Sequence, residues 1–415
     1  MLSKEANFYY KQILKRYENS YLAEDDTKVI IGIDVEYLDS NNMDFSEFKR
    51  VFYEASAKKH SFDLAGFFGV FSFDFISLIE DIKICEKKSY DFPLFLFANA
   101  RAYLLYEKHS KMYFKFGADK YFSFLSDDFI EEKEDKDLFF EIENDLDEEK
   151  KSFFDMLDKA KSYLLSGDIF QVVLSKQLCI RHNIDSFDFY QVLSKKNKSP
   201  YMFYFPTKYG TVLGSSPELI LSIKNKELFL APIAGTRKID ENSDKEALKR
   251  DLLSDEKELC EHRMLVDLAR NDISKFAEKT RVEKVFDIVT YQFVMHLVSS
   301  VYANLKKDAS IFDAICATFP AGTLSGAPKI RALEIISELE NLNRGVYGGG
   351  IGFLRFNEDI LLAILIRSAI FIKDKAFIAS GAGIVIKSDN EKEYEEIKSK
   401  RQSLLYAFEC LGAKI

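Results

Sequence analysis

The stretch 255–272, DEKELCEHRMLVDLARND, carries two glutamates three residues apart. On a helix, Glu258 and Glu261 share a face, and at 100° per residue Leu265, Leu268 and Ala269 fall on that same face. An amphipathic surface helix turns its carboxylates away from its apolar stripe; here the two coincide. A buried carboxylate needs a compensating cation or hydrogen bonds; otherwise the face rolls until both glutamates reach water. A helical stretch near the C-terminus repeats the feature. There Tyr394, Ile397, Arg401, Leu404, Leu405 and Phe408 form the packing side, with Glu393, Glu396 and Lys400 as the neighbouring stripe. If the helices meet, two i, i+3 carboxylate pairs make an all-oxygen site without His or Cys. Such a site favours a hard cation, Mg²⁺ before Ca²⁺ or Zn²⁺, with positions left for water or an anionic substrate. Alone, acidic helices are usually solvated.

Glycine usage is more specific. Of 18 glycines, nine lie between Gly322 and Gly383. Gly348-Gly349-Gly350, Gly352 and Gly381-Ala382-Gly383 interrupt strand-like runs, where glycine is unfavourable unless a ligand or another backbone approaches closely. Nucleotide-loop patterns are absent. The glycines therefore read as backbone N–H donors to a small anion, against the alternative of tight strand packing. Arg367 lies in the apolar run ILLAILIRSAIFI, read as one strand. A buried guanidinium needs a carboxylate, from a substrate or from Asp or Glu of the protein. His296, in YQFVMHLVSS, has apolar neighbours and alone reads as a core histidine.

These residues must be positioned by a chain of 415 residues, 47% hydrophobic and 30% charged, the composition of a globular protein with a substantial core. The net charge is −9, and residues 131–150 supply −8 of it through eleven acids and three lysines. The rest is nearly neutral and has no basic stripe, which argues against nucleic acid. The five cysteines are scattered, so neither disulfides nor a zinc site is expected. The polar N-terminus reads as a short amphipathic helix and not a signal peptide, and no apolar run is long enough to span a membrane. A cytoplasmic location, with no membrane partner, is the simplest expectation.

Short alternating runs at 29–33, 69–75, 94–97 and 112–116 predict strands, with a helix over 45–59. After the acidic run, 151–166 reads as a helix ended by Gly167, followed by strands at 169–180, 201–205, 211–214 and 218–223. Helices follow at 255–272, 311–317 and 330–340, then three strands from Val346 and a final helix over 391–408. The pattern predicts an α/β protein of α+β type with antiparallel sheets. Its expected organisation is a sheet-rich N-terminal region (1–130), an acidic linker or helix start (131–150) and a larger unit (151–415).

The ordered segments GDIFQVVLSK, SPYMFYF, GSSPELIL, PIAGTR, DEKELCEHRMLVDLARND, VMHLVS, GTLSGAPK, YGGGIGF, IRSA, GAGIV and EYEEIKSK resemble the chorismate-utilising enzymes, most closely the anthranilate synthase component I branch. The resemblance covers roughly residues 151–410. It implies a large two-layer antiparallel β-sandwich flanked by helices, with chorismate held inside. It implies Glu261 and Glu396 as direct Mg²⁺ ligands, with Glu258 and Glu393 beside them. Gly235, Thr236, Tyr347, Arg367, Gly381, Ala382 and Gly383 correspond to the chorismate-binding set. Glu218 corresponds to the acid that protonates the departing ring hydroxyl, and His296 to the histidine used in the pyruvate elimination. Thr323, of GTLSGAPK, and Gln171 join the catalytic candidates.

Two positions distinguish related activities within the resemblance. Isochorismate and salicylate synthases carry a lysine where this chain has Gln171. Aminodeoxychorismate synthases carry one where it has Ala234. The implied reaction is therefore amination of chorismate by free ammonia, giving anthranilate and pyruvate, the entry to tryptophan biosynthesis. No Cys/His pair here suits a glutaminase, so a separate glutaminase subunit is implied as partner. The alternatives are an aminodeoxychorismate or isochorismate synthase, or a non-catalytic chorismate- or tryptophan-binding regulator. Feedback by tryptophan in the family uses a PYM segment, here Pro200-Tyr201-Met202, and an N-terminal LLES motif. The nearest counterpart of the latter is Leu22-Ala23-Glu24-Asp25, with Asp25 in place of the serine, which implies a weakened site.

Overall fold

The computed structural model describes residues 2–130, 137–239, 243–290 and 294–412. Helix α1 (Ala6–Arg16) precedes β1 (Tyr21–Glu24) and β2 (Lys28–Asp39). Helix α2 (Phe45–Ser56), capped by Asp44, precedes β3 (Gly66–Phe71), β4 (Phe95–Glu107) and β5 (Met112–Phe116). Of the acidic run, residues 131–136 lie outside the described residues; the remainder includes β6 (Phe140–Ile142) and the start of α3 (Leu146–Ser166). Asp145 caps α3, and Asp147, Glu148 and Glu149 occupy its first turn, where the helix dipole favours negative charge. Gly167 ends α3 in the left-handed conformation, φ 83°.

Strand β7 (Gln171–His182), helix α4 (Ser186–Lys196) and strands β8 (Tyr201–Thr207), β9 (Gly210–Ser216), β10 (Leu219–Lys224), β11 (Glu227–Leu230) and β12 (Ile233–Lys238) follow. Helices α5 (Lys245–Ser254) and α6 (Glu256–Ser274) lead to the long pair β13 (Ala277–Thr290) and β14 (Val294–Leu305). The remainder is α7 (Ile311–Thr318), β15 (Gly326–Ala327), α8 (Lys329–Leu339), β16 (Gly350–Arg355), β17 (Ile360–Ile364), β18 (Ser368–Ile372), β19 (Lys375–Ile384) and α9 (Asn390–Cys410).

Every pairing among the described strands is antiparallel, and β4 joins two limbs of the ladder. On one edge of β4 the order runs through β2, β1, β8, β9, β18, β19 and β7. On the other it runs through β3, β16, β17, β10, β11 and β14, which also carries β12 and β13. The limbs pack face to face: Tyr21 of β1 stacks on Phe68 of β3 with ring centroids 4.4 Å apart, and Phe205 of β8 meets Phe68 edge-on at 5.3 Å. Helix α2 covers an outer face by setting Phe48 and Phe52 against Phe95, Phe97 and Phe67. The expected α/β fold, a large antiparallel sheet flanked by helices, is the fold observed. Strands from residues 1–130 are hydrogen-bonded into it, β1 to β8 and β3 to β16.

Two expectations fail in an informative way. The run ILLAILIRSAIFI is two strands: β17 belongs to one limb and β18 to the other, and the chain crosses between layers at Leu365–Arg367. Arg367 takes the left-handed φ of 51° there. A continuous apolar run hides such a crossing, because both halves are buried. The glycines of YGGGIGF are not anion donors. Gly348 and Gly349 donate to the Leu365 and Val346 carbonyls at 2.9 and 3.1 Å, and a side chain at Gly352 would begin 1.8 Å from the Leu361 oxygen. Strand β16 is squeezed between β3 and β17, so the packing alternative holds for Gly348 to Gly352.

Candidate active site

A cavity of about 220 Å³ lies where the chain changes layer. Its wall includes Gln171 of β7, Glu218, Gly235 of β12, Glu261 of α6, His296 of β14, Thr323, Tyr347, Arg367, Gly381 and Gly383 of β19, and Glu396 and Lys400 of α9. The two layer crossings, 217–218 between β9 and β10 and 365–367 between β17 and β18, are clipped together. Ser215 N–H donates to the Arg367 carbonyl at 3.0 Å, and Ile364 N–H to the Glu218 carbonyl at 2.9 Å. Glu218 and Arg367, 149 positions apart in sequence, thus enter one cavity.

Thr323 donates to Glu218 Oε1 at 2.8 Å. Burial pushes the Glu218 carboxyl up to about 7, with the Thr323 bond and the Lys400 charge opposing. The group is therefore poised to carry its proton near neutrality. Arg367 donates from Nη1 to the Lys400 carbonyl at 2.7 Å, the one hydrogen bond of its side chain to a described residue. Burial lowers its pKa, while Tyr347 and Glu396 favour the charge. The protein carboxylate weighed as its partner is not at hydrogen-bonding distance among the described residues. Several donors of the guanidinium fork remain for an anion.

A β-bulge between Ala234 and Thr236 puts Gly235 at φ 63°. Its carbonyl lies 3.2 Å from His296 Nδ1. A carbonyl only accepts, so Nδ1 carries the proton and Nε2 the lone pair in the neutral ring. Burial holds this imidazole below its ordinary pKa, with the Gly235 bond opposing and Arg367 and Lys400 reinforcing. The side chain of Thr236 lies outside the described residues.

Along β19, β18 pairs only as far as Ile378, so 379–384 pair with β7 alone and their other edge borders the cavity. The wall there leaves no room for larger residues: a Cβ at Gly381 would lie 2.8 Å from the Leu174 carbonyl and 3.0 Å from Tyr347 Oη, and one at Gly383 2.5 Å from Gln171 Nε2. Ala382, between them, is buried and not part of the wall.

The carboxylate pairs divide. Glu261 and Glu396 line the cavity; Glu258 and Glu393 do not. Glu258 lies 3.8 Å from Arg237, and Glu393 is buried. Glu261 Oε1 accepts from Gln171 Nε2 at 3.0 Å, and Glu396 Oε1 is 2.7 Å from Lys400 Nζ. No group of three metal-type side chains converges among the described residues. Two carboxylates facing one solvent-accessible cavity nevertheless fit a hard cation that keeps other positions for water and substrate oxygens. Gln171 Oε1 is buried with no partner among the described residues, an acceptor on the cavity wall.

Sequence reasoning gave Lys400 no role, although its position four residues after Glu396 was the available signal. It also missed His262, fully buried with Nε2 2.7 Å from Ser299 Oγ, which fastens α6 to β14 between Glu261 and His296. The regulatory candidates Tyr201 and Met202 do come together with Asp25. The register of β1 on β8 sets Glu24 opposite Met202, and a small cavity there is lined by Ala23, Asp25, Tyr201, Met202 and Arg355; Pro200 is not in its wall.

A raised acid, a half-buried guanidinium and the two carboxylates of Glu261 and Glu396 thus gather around one interlayer cavity. The chain belongs to the chorismate binding enzyme family, which it matches over residues 5–406. Anthranilate synthase component 1 of Acetivibrio thermocellus is 47% identical over 266 residues, 63% of this chain and 54% of that protein. The chain thus spans about half the length of the curated relatives it matches. The crystal structure of anthranilate synthase component I from Streptococcus pneumoniae is 31% identical, with a TM-score of 0.77 over 92% of this chain and 91% of that one. A menaquinone-specific isochorismate synthase from Escherichia coli shares the fold at 18% identity, TM-score 0.78, over 98% of this chain and 92% of that one. No described helix is long and apolar enough to cross a membrane.

The Glu218 environment has a measurable consequence. The folded protein holds this proton more tightly than the unfolded chain, so its stabilising contribution is complete below the ordinary glutamate range and is lost as pH rises to about 7. Glu218→Gln, which mimics the protonated form, should gain on the order of 2–3 kcal/mol relative to wild type between pH 5 and pH 8. Urea midpoints at the two pH values check this; a difference independent of pH would contradict it.

Proposed function

We propose that this chain is the aminase component of an anthranilate synthase, converting chorismate and ammonia to anthranilate and pyruvate with Mg²⁺ in the cytoplasm. Its ammonia comes from glutamine through a partner glutaminase subunit. The observation that carries the reading is Glu218, pushed up to about 7 in the cavity that also holds Arg367 and His296. Hydroxide leaves poorly, and an acid that keeps its proton near neutrality can protonate the departing ring hydroxyl. Thr323 orients that carboxyl.

Arg367 and Tyr347 hold one carboxylate of the substrate, and the open edge of β19 offers backbone donors at Gly381 and Gly383. Gly235 and Thr236, on the bulge, complete the binding wall. Mg²⁺, bound by Glu261 and Glu396, would neutralise the other carboxylate and fix the ring. Glu258 and Glu393 act behind them, steadying the two helices. The unpartnered Gln171 Oε1 accepts an N–H of ammonia, and with no amine at positions 171 or 234 the nucleophile must come from outside the chain. His296 Nε2 then takes the ring proton as pyruvate leaves.

A second cavity supports a regulatory reading, feedback by tryptophan. Arg355 Nε is buried there without a described partner, while Asp25 is engaged with Lys28 and Thr27. Burial opposes the Asp25 charge, but these bonds outweigh it and hold the group below its ordinary value. A carboxylate there repels that of a bound amino acid, and Ala23 offers little apolar contact, at a cost of about 1–3 kcal/mol in affinity. Titrating tryptophan against ammonia-supported activity should show weak inhibition that Asp25→Ser strengthens; inhibition unaltered by that change would remove Asp25 from the site.

The function itself is tested by turnover of chorismate with Mg²⁺ and ammonium salt. The expected products are anthranilate and pyruvate, and kcat/KM at fixed free ammonia should fall as pH rises above about 7. Isochorismate, salicylate or 4-amino-4-deoxychorismate as main product would overturn the assignment, and no turnover would favour a binding regulator.

A further inference from the structure

Lys400 lies one turn beyond Glu396 on α9, and its ammonium bridges two oxygens of the cavity wall. Nζ is 2.7 Å from Glu396 Oε1 and 2.8 Å from the Gly381 carbonyl. Its setting differs from that of the structural cations. Arg344 is buried and donates to Glu340, Leu324 and Val173; Arg401 is buried on Glu149. Lys400 and Glu396 keep 37% and 47% of their side-chain surface exposed. Their bond therefore lies where an incoming ion or substrate can reach it.

An ammonium on a flexible four-carbon stem is a compact point charge that prefers oxygen partners. It resembles a hard cation in both respects. We propose that Lys400 is a resident stand-in for the metal: its ammonium neutralises Glu396 until a divalent ion displaces it, and it then turns to the anionic substrate. The proposal rests on the reading of Glu396 as a metal ligand. A divalent ion and an ammonium cannot both sit in contact with one carboxylate without strong repulsion. Metal entry thus releases the lysine, and the released charge faces a cavity built for a dianion. Metal and substrate are thereby coupled: each favours the state in which Lys400 has left Glu396, and the coupling is reciprocal.

The probe is Mn²⁺, with the unbound ion measured by electron paramagnetic resonance in protein without substrate, so that the readout does not depend on turnover. Lys400→Met should raise the Mn²⁺ affinity of the substrate-free protein by about 5- to 150-fold, the usual span of such couplings. Lys400→Gln, which keeps a polar side chain of similar reach, should do the same if the methionine variant folds poorly. In either variant the KM for chorismate should rise. Glu396→Gln should abolish Mn²⁺ binding; binding that survives it would overturn the ligand reading and the proposal together. Unchanged or weaker Mn²⁺ binding in both lysine variants, with Glu396→Gln still abolishing it, would overturn the stand-in role alone.

Discussion

The site depends on the pair of hydrogen bonds that clip the two layer crossings together, Ser215 N–H to Arg367 C=O and Ile364 N–H to Glu218 C=O. A two-layer antiparallel fold leaves backbone groups unpaired wherever a strand leaves one sheet for the other, and buried groups of that kind must find partners. Here each crossing satisfies the other. The same bonds fix two side chains of opposite character, an acid and a guanidinium, at the margin of one cavity. Neither has the full ion-pair partner that burial would ordinarily demand. The acid responds by holding its proton, and the guanidinium by keeping donors for an anion.

The contrast with the rest of the interior is instructive. Arg344 forms a fork with Glu340, whose Oε1 also accepts from Ser175 N–H and Oγ at 2.7 and 3.0 Å. Arg401 grips Glu149 of α3 through both Nη atoms, with Tyr394 completing the set. These charges are complete within the protein; the first set ties the end of α8 to β7, and the second ties α9 to α3. They make a rigid frame on which α9 carries Glu396 and Lys400. The unfinished electrostatics are confined to the cavity.

Much of this was legible in the sequence. The i, i+3 glutamates with apolar residues on the same face located α6, and periodicity located α9 to within two residues at each end. Motif resemblance pointed to Gln171, Glu218, His296 and Arg367, all in the cavity wall. Other features were not legible because they arise from pairing between distant segments. The break at Arg367 is invisible in a run that is apolar on both sides. The glycines of β16 looked like those of β19, and only the strands flanking each set distinguish a packed position from an open edge. Lys400 reads as solvated until Gly381, 19 residues earlier, is brought beneath it.

On the function proposed, one cavity between the layers holds chorismate between Glu218 and Arg367. A crystal structure of the protein soaked with Mg²⁺ and chorismate, with no ammonia present to drive turnover, tests it most directly. The ring hydroxyl should lie within hydrogen-bonding distance of the Glu218 carboxyl, about 2.6–3.2 Å, with a substrate carboxylate on the Arg367 fork and the other on a metal held by Glu261 and Glu396. Chorismate bound elsewhere, or seated here with its hydroxyl turned away from Glu218, would contradict the account.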